Sequence, residues 1–169
     1  MSTMSATNTT QVYRVYIRTT PEAVWDAITK PEWTERYGYG GVADYDLRVG
    51  GRANALPGAA MKAYPGVPDV IIDGEFVEVD PPRRLVQTWR MLMTPPDAQP
   101  EGFTRLTYEI ADTQQSGVCR LTVTHELDQA PGLAPMLAGD LEETGAGGGW
   151  NYVLSDLKSL LETGKGLAA

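Results

Sequence analysis

Apolar residues recur at intervals of three and four positions through residues 149–162, GWNYVLSDLKSLLE, near the C-terminal end of the chain. This spacing predicts an amphipathic helix with one apolar stripe, and Asp156 falls off that stripe. Because each buried leucine side chain contributes roughly 1.5–3 kcal/mol, we expect the stripe to be covered by other elements. The stripe consists of Trp150, Val153, Leu154, Leu157, Leu160 and Leu161.

Seven segments upstream alternate apolar and polar residues with a period of two, which is typical of half-buried β-strands. The seven predicted strands are residues 11–18, 42–49, 52–56, 70–79, 84–92, 103–112 and 118–127. In the second strand the apolar face includes Leu47 and Val49. In the fourth strand both faces carry apolar residues, so the pattern leaves open which of them points inward.

Two short helices are predicted between the first and second strands. Thr20 and Pro21 combine an N-cap hydroxyl with a first-turn proline, and the helix they start runs to about Thr29. Pro31 starts a second short helix that reaches Tyr37, where a cluster of glycines ends it. The predicted order is therefore one strand, two short helices, six strands and a long terminal helix.

Two connections are rich in proline and glycine. Residues 57–69 are interpreted as an irregular loop that acts as a lid, with Met61 and Tyr64 over a pocket mouth. Residues 128–149 contain two prolines and several glycines, so the terminal helix begins either near Pro135 or near Trp150.

A chain of 169 residues suits one domain, which we place at residues 11–163, between a disordered segment at residues 1–10 and a tail at residues 164–169. The net charge of −8 and the lack of a basic run indicate that nucleic acid is not a partner. The single cysteine excludes an internal disulfide, and no apolar run is long enough for a membrane span. These features favour a cytoplasmic protein.

Five motifs follow one another along this predicted order of elements, from the first short helix to the terminal helix: TPEAVWDAITKPE, DLRVGGR, GEFVEVDPPRRLVQTW, RLTVTHE and GW followed by LSDLKSLLE. In this order they resemble the heat-shock-protein ATPase activator homologue family of the SRPBCC superfamily. The resemblance implies an α+β helix-grip (START-like) fold, in which a curved antiparallel sheet of about seven strands wraps around a long C-terminal helix. It also implies a cavity between sheet and helix, in which relatives bind hydrophobic small molecules.

The predicted inward faces of the strands converge with the helices on an aromatic-rich lining, which is typical of a ligand pocket, although the same residues could instead form a solid core. Gln87 shares an inward face with Trp89, and a buried amide needs a partner from a ligand, water or protein. The candidate ligand-binding residues are Trp33, Tyr37, Gln87, Trp89, Met91, Leu106, Tyr108, Val123, His125, Trp150 and Leu154.

His125 is the only histidine, so it is the candidate acid or base near neutral pH, with Tyr108 as a second candidate catalytic residue. The alternative is a hydrogen-bonded structural histidine. One histidine and one cysteine do not supply a zinc site, and we expect no metal or cofactor. The leading hypothesis is binding of a hydrophobic or aromatic small molecule. The alternatives are an enzyme of the polyketide cyclase or hydrolase type and a co-chaperone-like interaction module, and the sequence leaves homodimerisation open.

Overall fold

A curved antiparallel sheet of eight strands wraps around a C-terminal helix in the computed structural model, which describes residues 9–95 and 97–168. The strands are β1 (Thr10–Ile17), β2 (Val42–Tyr45), β3 (Ala53–Leu56), β4 (Ile72–Asp73), β5 (Phe76–Asp80), β6 (Arg84–Met91), β7 (Thr104–Asp112) and β8 (Cys119–Glu126). The helices are α1 (Pro21–Thr29), α2 (Pro31–Thr34), α3 (Ala59–Lys62), α4 (Ala134–Leu137) and α5 (Gly149–Thr163). The predicted helix-grip fold is confirmed.

The sheet follows the order β1-β8-β7-β6-β4-β3-β2, and β5 pairs with β6 beside β4. The predicted inward face of β8 is confirmed, because Cys119, Leu121 and Val123 are all buried. In the long β1–β8–β7 ladder, Val123 lies opposite Tyr13 on one side and Tyr108 on the other. The inner face of these strands, together with α1 and α5, holds the main hydrophobic core.

The fourth predicted strand is divided into β4 and β5, which accounts for the eighth strand. Gly74 separates them and passes so close to β6 that an added Cβ would lie 1.9 Å from the Thr88 carbonyl oxygen. The structure also determines which face points inward. Phe76 is buried in the core, whereas Asp73 forms an ion pair of 2.6 Å with Arg90.

The second predicted strand is wrong beyond Tyr45. The next segment is a turn, and its apolar residues Leu47 and Val49 are 40% and 67% exposed. Gly51 closes the turn so tightly that an added Cβ would lie 2.0 Å from the carbonyl oxygen of Asp46. The apolar alternation in the sequence therefore extends beyond the strand, which ends at Tyr45 because the chain turns at Gly51.

The start predicted for α1 is confirmed by its cap. The Thr20 hydroxyl accepts a hydrogen bond of 3.2 Å from the Ala23 N–H, and Pro21 occupies the first turn. The following helix, α2, is shorter than predicted and ends at Thr34. Residues 35–41 then turn back towards the sheet, and two glycines with positive φ, Gly38 and Gly40, allow this turn.

The terminal helix α5 begins at Gly149, which is the later of the two predicted starts. The predicted stripe packs inward, and Asp156, which lies off the stripe, is nevertheless only 3% exposed. Its carboxylate is buried because it accepts hydrogen bonds of 2.9 Å from the Gly38 N–H and 2.7 Å from the Leu167 N–H.

The described part of the chain begins immediately before β1. Thr10 begins β1, one position before the predicted start at Gln11. Of the segment predicted to be disordered, residues 1–8 lie outside the described residues, whereas Thr9 is buried and its hydroxyl donates to the Asp128 carboxylate. No helix in the ranges 9–95 and 97–168 is both long and apolar enough to cross a membrane.

Candidate ligand-binding site

A cavity of about 340 Å³ lies between the concave face of the sheet and the N-terminal half of α5. Side chains from β2, β3, β4, β6, β7 and β8 form one wall, and α5 forms the opposite wall. Residues 37–41 and α3 line the open side, where Tyr39 and Met93 are partly exposed to solvent. The sheet and the helix thus enclose a space that the core does not fill.

Aromatic side chains make up much of the wall. Trp89 and Tyr108 come from neighbouring strands, and Trp150 comes from the first turn of α5. The rings of Tyr108 and Trp150 contact each other edge to face, with centroids 6.2 Å apart. Such contacts hold aromatic rings in fixed orientations, so the wall is preorganised.

Four methionines complete the wall. The sequence has six methionines, of which Met1 and Met4 lie outside the described residues. Methionine is unbranched and polarisable, so it adapts its shape to an irregular partner. The four that line the cavity are Met61, Met91, Met93 and Met136.

The wall carries no Asp, Glu, Lys, Arg or His side chain among the described residues. Its polar side-chain groups are the hydroxyls of threonine and tyrosine and the N–H groups of tryptophan. An ionised group placed in such a space would lose its hydration without gaining a charged partner. The electrostatics therefore favour uncharged occupants.

Three tyrosines of the wall differ in whether their hydroxyls form hydrogen bonds within the protein. The Tyr37 hydroxyl donates a hydrogen bond of 2.9 Å to the Ala27 carbonyl. The hydroxyls of Tyr45 and Tyr108 have no hydrogen-bond partner within the described part of the chain. The ring of Tyr45 is nevertheless fixed, because it packs edge to face on Phe76 with centroids 5.2 Å apart.

Burial keeps these phenols protonated. It raises the pKa of Tyr45 to about 12. The pKa of Tyr108 is raised well above its usual value, first by burial and then by the neighbouring phenols of Tyr45 and Tyr37. At neutral pH both hydroxyls therefore remain protonated and able to donate a hydrogen bond.

His125 lies behind the wall and holds one of its residues in place. Its Nε2 lies 2.8 Å from the Thr104 hydroxyl, which itself donates to the Trp89 carbonyl. Nε2 therefore carries the proton, and Nδ1 accepts a hydrogen bond of 3.2 Å from the Trp150 indole N–H. Burial lowers the pKa of His125 to about 3, so the ring is neutral at physiological pH.

Six of the predicted site residues line the cavity, and five do not. His125 is fully buried, and both of its ring nitrogens are engaged within the protein. The residues on the wall are Tyr37, Trp89, Met91, Tyr108, Trp150 and Leu154. The predicted residues that lie outside the wall, all of them described, are Trp33, Gln87, Leu106, Val123 and His125.

The five residues outside the wall have other surroundings. Leu106 and Val123 are buried in the core on the inner faces of β7 and β8. Trp33 packs under the guanidinium of Arg36, and the Arg36 Cζ lies 4.8 Å from the centroid of the Trp33 ring. Gln87 is 1% exposed, and its Oε1 has no hydrogen-bond partner among the described residues.

Sequence reasoning missed two aromatic residues of the wall, Tyr39 and Tyr45. Tyr45 lies on the predicted apolar face of the second strand, so a signal existed, but alternation alone does not reveal which strands border a gap. Tyr39 lies in the turn after α2, where no periodicity applies. In the loop predicted to be a lid, Met61 lines the cavity, whereas Tyr64 is largely exposed.

Tyr39 joins the open side of the cavity to the start of α5. Its hydroxyl accepts a hydrogen bond of 2.9 Å from the Gly149 N–H. The N-cap residue of α5, Gly148, has no side chain to do this. The ring of Tyr39 also stacks on Tyr152, with centroids 6.4 Å apart.

Comparisons with known proteins place the chain by family and fold. The family model described as Activator of Hsp90 ATPase homolog 1-like protein matches residues 18–162. Among curated proteins, no sequence matches the chain.

Several solved structures share the fold. One from Staphylococcus saprophyticus has a TM-score of 0.64 and 18% identity, covering 95% of this chain and 96% of that chain. One from Chromobacterium violaceum has a TM-score of 0.61 and 23% identity, covering 91% and 97%. An HSP90 activator from Plasmodium falciparum has a TM-score of 0.60 and 20% identity, covering 90% and 95%.

Proposed function

We propose, on the premise that this chain belongs to the Activator of Hsp90 ATPase homolog 1-like protein family, that it binds a hydrophobic or aromatic small molecule between the sheet and α5. The observation that carries the proposal is the cavity of about 340 Å³ with its wall of aromatic and methionine side chains. A protein interior is normally close-packed, so apolar residues that border an open space of this size support a binding role.

The size of the cavity restricts the ligand. Pockets for drug-sized ligands span roughly 300–1,000 Å³, so this one lies at the small end of the range. A compact molecule of two or three fused rings suits such a space. The four methionines allow the wall to adjust around ligands of somewhat different outline, which favours a class of related molecules over one rigid shape.

Catalysis is a weaker candidate. An acid or base must reach the substrate, and the ring nitrogens of His125 are bonded to Thr104 and Trp150 instead. Tyr108 keeps a hydroxyl at the wall, but burial raises its pKa and opposes a role as a base. A co-chaperone-like role rests on the family description, whereas small-molecule binding rests on residues of this chain.

The proposal can be tested by filling the cavity. Ala55→Leu adds an isopropyl group at the wall and should weaken binding of a fluorescent naphthylamine dye by about tenfold or more, because the added group occupies ligand space. Affinity is measured by titrating the protein into the dye and recording the fluorescence of the dye.

The matched control is Ala98→Leu, the same change at an exposed position that is not part of the wall. It should leave the dye affinity unchanged. Equal dye affinities for the wild type and Ala55→Leu, with both proteins folded by circular dichroism, would refute binding in this cavity.

A further inference from the structure

We propose that the ligand is uncharged and carries a hydrogen-bond-accepting oxygen, such as a ketone or quinone carbonyl, and that the hydroxyls of Tyr45 and Tyr108 recognise it. This inference rests on the proposed function and adds the chemical class of the ligand and the two residues that select it. The underlying observation is that these two tyrosines line the cavity and that their hydroxyls lack a hydrogen-bond partner within ranges 9–95 and 97–168.

Unlike the buried Gln87 Oε1, the hydroxyl oxygens of Tyr45 and Tyr108 are not enclosed by protein atoms among the described residues, so both donors are free to bond an occupant of the cavity. Tyr37 provides the comparison within the same wall, because its hydroxyl is satisfied by the Ala27 carbonyl. Tyr45 and Tyr108 lie on separate strands, β2 and β7, but both line the same cavity, and the Tyr45 phenol is close enough to contribute to the raised pKa of Tyr108. A ligand oxygen placed there can accept from either O–H or from both.

The rings that carry these hydroxyls are fixed in place. Tyr45 packs edge to face on Phe76, and Tyr108 packs edge to face on Trp150. Trp150 is held in turn by the hydrogen bond from its indole N–H to His125. The donors are therefore oriented before a ligand arrives, which lowers the entropic cost of using them.

The charge of the ligand follows from the wall. No side chain of the wall within the described residues carries a charge, so a carboxylate or an amine has no counter-ion in the cavity. Burial also raises the pKa of Tyr45 and Tyr108, so neither becomes a phenolate that attracts a cation. A carbonyl oxygen, which is a strong acceptor without a net charge, matches both the donors and the absence of charge.

The test uses three probes of nearly equal shape: fluorenone, which has a carbonyl; fluorene, which lacks it; and fluorene carboxylate, which is charged. Fluorenone should bind about three- to tenfold more tightly than fluorene, as one or two buried hydrogen bonds predict. Fluorene carboxylate should bind at least about a hundredfold more weakly than fluorenone. Affinities are measured by displacement of the naphthylamine dye.

Three variants assign the selectivity to the two tyrosines. In Tyr45→Phe/Tyr108→Phe, the affinity for fluorenone should fall to that for fluorene, while the affinity for fluorene stays the same or rises slightly. In the control Tyr16→Phe, at a tyrosine that is 52% exposed and lies outside the wall, the preference for fluorenone should remain. Each Tyr45 or Tyr108 single variant should lose part of the preference.

The outcomes separate this inference from the proposed function. Equal binding of fluorene and fluorenone by the wild type would overturn the inference and leave the hydrophobic cavity site intact. A preference for fluorenone that survives in the double variant would overturn the assignment to the tyrosines. Absence of binding for all three probes would overturn both proposals.

Discussion

The two halves of α5 have different surroundings. The C-terminal half is bonded to β1 and its flanking turn, because the Lys158 ammonium donates to the Tyr16 carbonyl at 2.6 Å and the Glu162 carboxylate accepts from the Arg18 N–H at 2.8 Å. The N-terminal half borders the cavity and begins at a glycine cap without a side chain. Residues 158–163 therefore form the anchor half of the helix, and residues 149–157, which include all the cavity-lining residues of α5, form the wall half.

This difference explains how a small domain keeps an open space. A cavity removes dispersion contacts and therefore costs stability. The close packing of the C-terminal half of α5 against β1 and α1 offsets that cost, so the helix need not be held along its whole length. We expect substitutions in the anchor half to change stability and substitutions in the wall half to change binding.

The largest effect is expected for Leu160→Ala in the anchor half. Leu160 is buried and is not part of the cavity wall, so the truncation creates a new void and should cost about 2–5 kcal/mol of unfolding free energy. Leu154→Ala, the same change in the wall half, should cost about half as much or less, because part of that side chain already borders open space.

Urea denaturation monitored by circular dichroism compares the two variants. Equal losses for Leu154→Ala and Leu160→Ala would show that both halves of α5 are packed alike, and the comparison between anchor and wall would fail.

The second effect concerns pH and the wall half. Burial lowers the pKa of folded His125 to about 3, whereas the unfolded chain titrates at about 6.5. The unfolded state therefore binds the proton first, so the stabilisation is complete above pH 6.5 and is lost as pH falls towards 3. Between pH 7 and pH 5 the unfolding free energy should fall by about 2 kcal/mol.

The measurement is the urea midpoint at half-unit steps of pH. Because the chain has one histidine, His125→Gln should flatten most of the slope between pH 7 and pH 5. A wild-type curve that is flat over this range would contradict the buried neutral imidazole.

The smallest effect is expected at the first turn of α5. Tyr39→Phe removes the hydroxyl that accepts from the Gly149 N–H and should destabilise the protein by about 0.5–1.5 kcal/mol. Hydrogen exchange should quicken at Gly149 but not at Leu160, since the anchor half is held by other bonds. Tyr64→Phe, at a tyrosine that is 70% exposed, provides the control.

Local signals in the sequence predicted the fold well. The Thr20 cap, the inward face of β8 and the stripe of α5 each depend on residues close together in the chain, and all three are present. The prediction was wrong where a glycine changed the backbone path, as at Gly51 after β2 and Gly74 between β4 and β5. At both glycines the backbone approaches another backbone segment closely, and this contact ends a strand. A pattern of alternating residues does not reveal such contacts.

The candidate site was harder to predict because a cavity is defined by what its neighbours leave empty. Trp150 and Tyr108 were expected to converge, and they are in contact. The sequence could not show that Tyr45 from the far side of the sheet would join them, or that His125 would lie behind Trp150. Those relations depend on sheet curvature and on contacts between residues far apart in the chain.

The Asp156 carboxylate connects two places that the linear order keeps far apart. One oxygen holds Gly38, a residue of the cavity wall, and the other holds Leu167 in the segment after α5. The segment after α5 and the open side of the cavity are therefore held by hydrogen bonds to the same carboxylate. We expect a substitution of Asp156 to remove both hydrogen bonds at once, although none of the described residues after α5 lines the cavity.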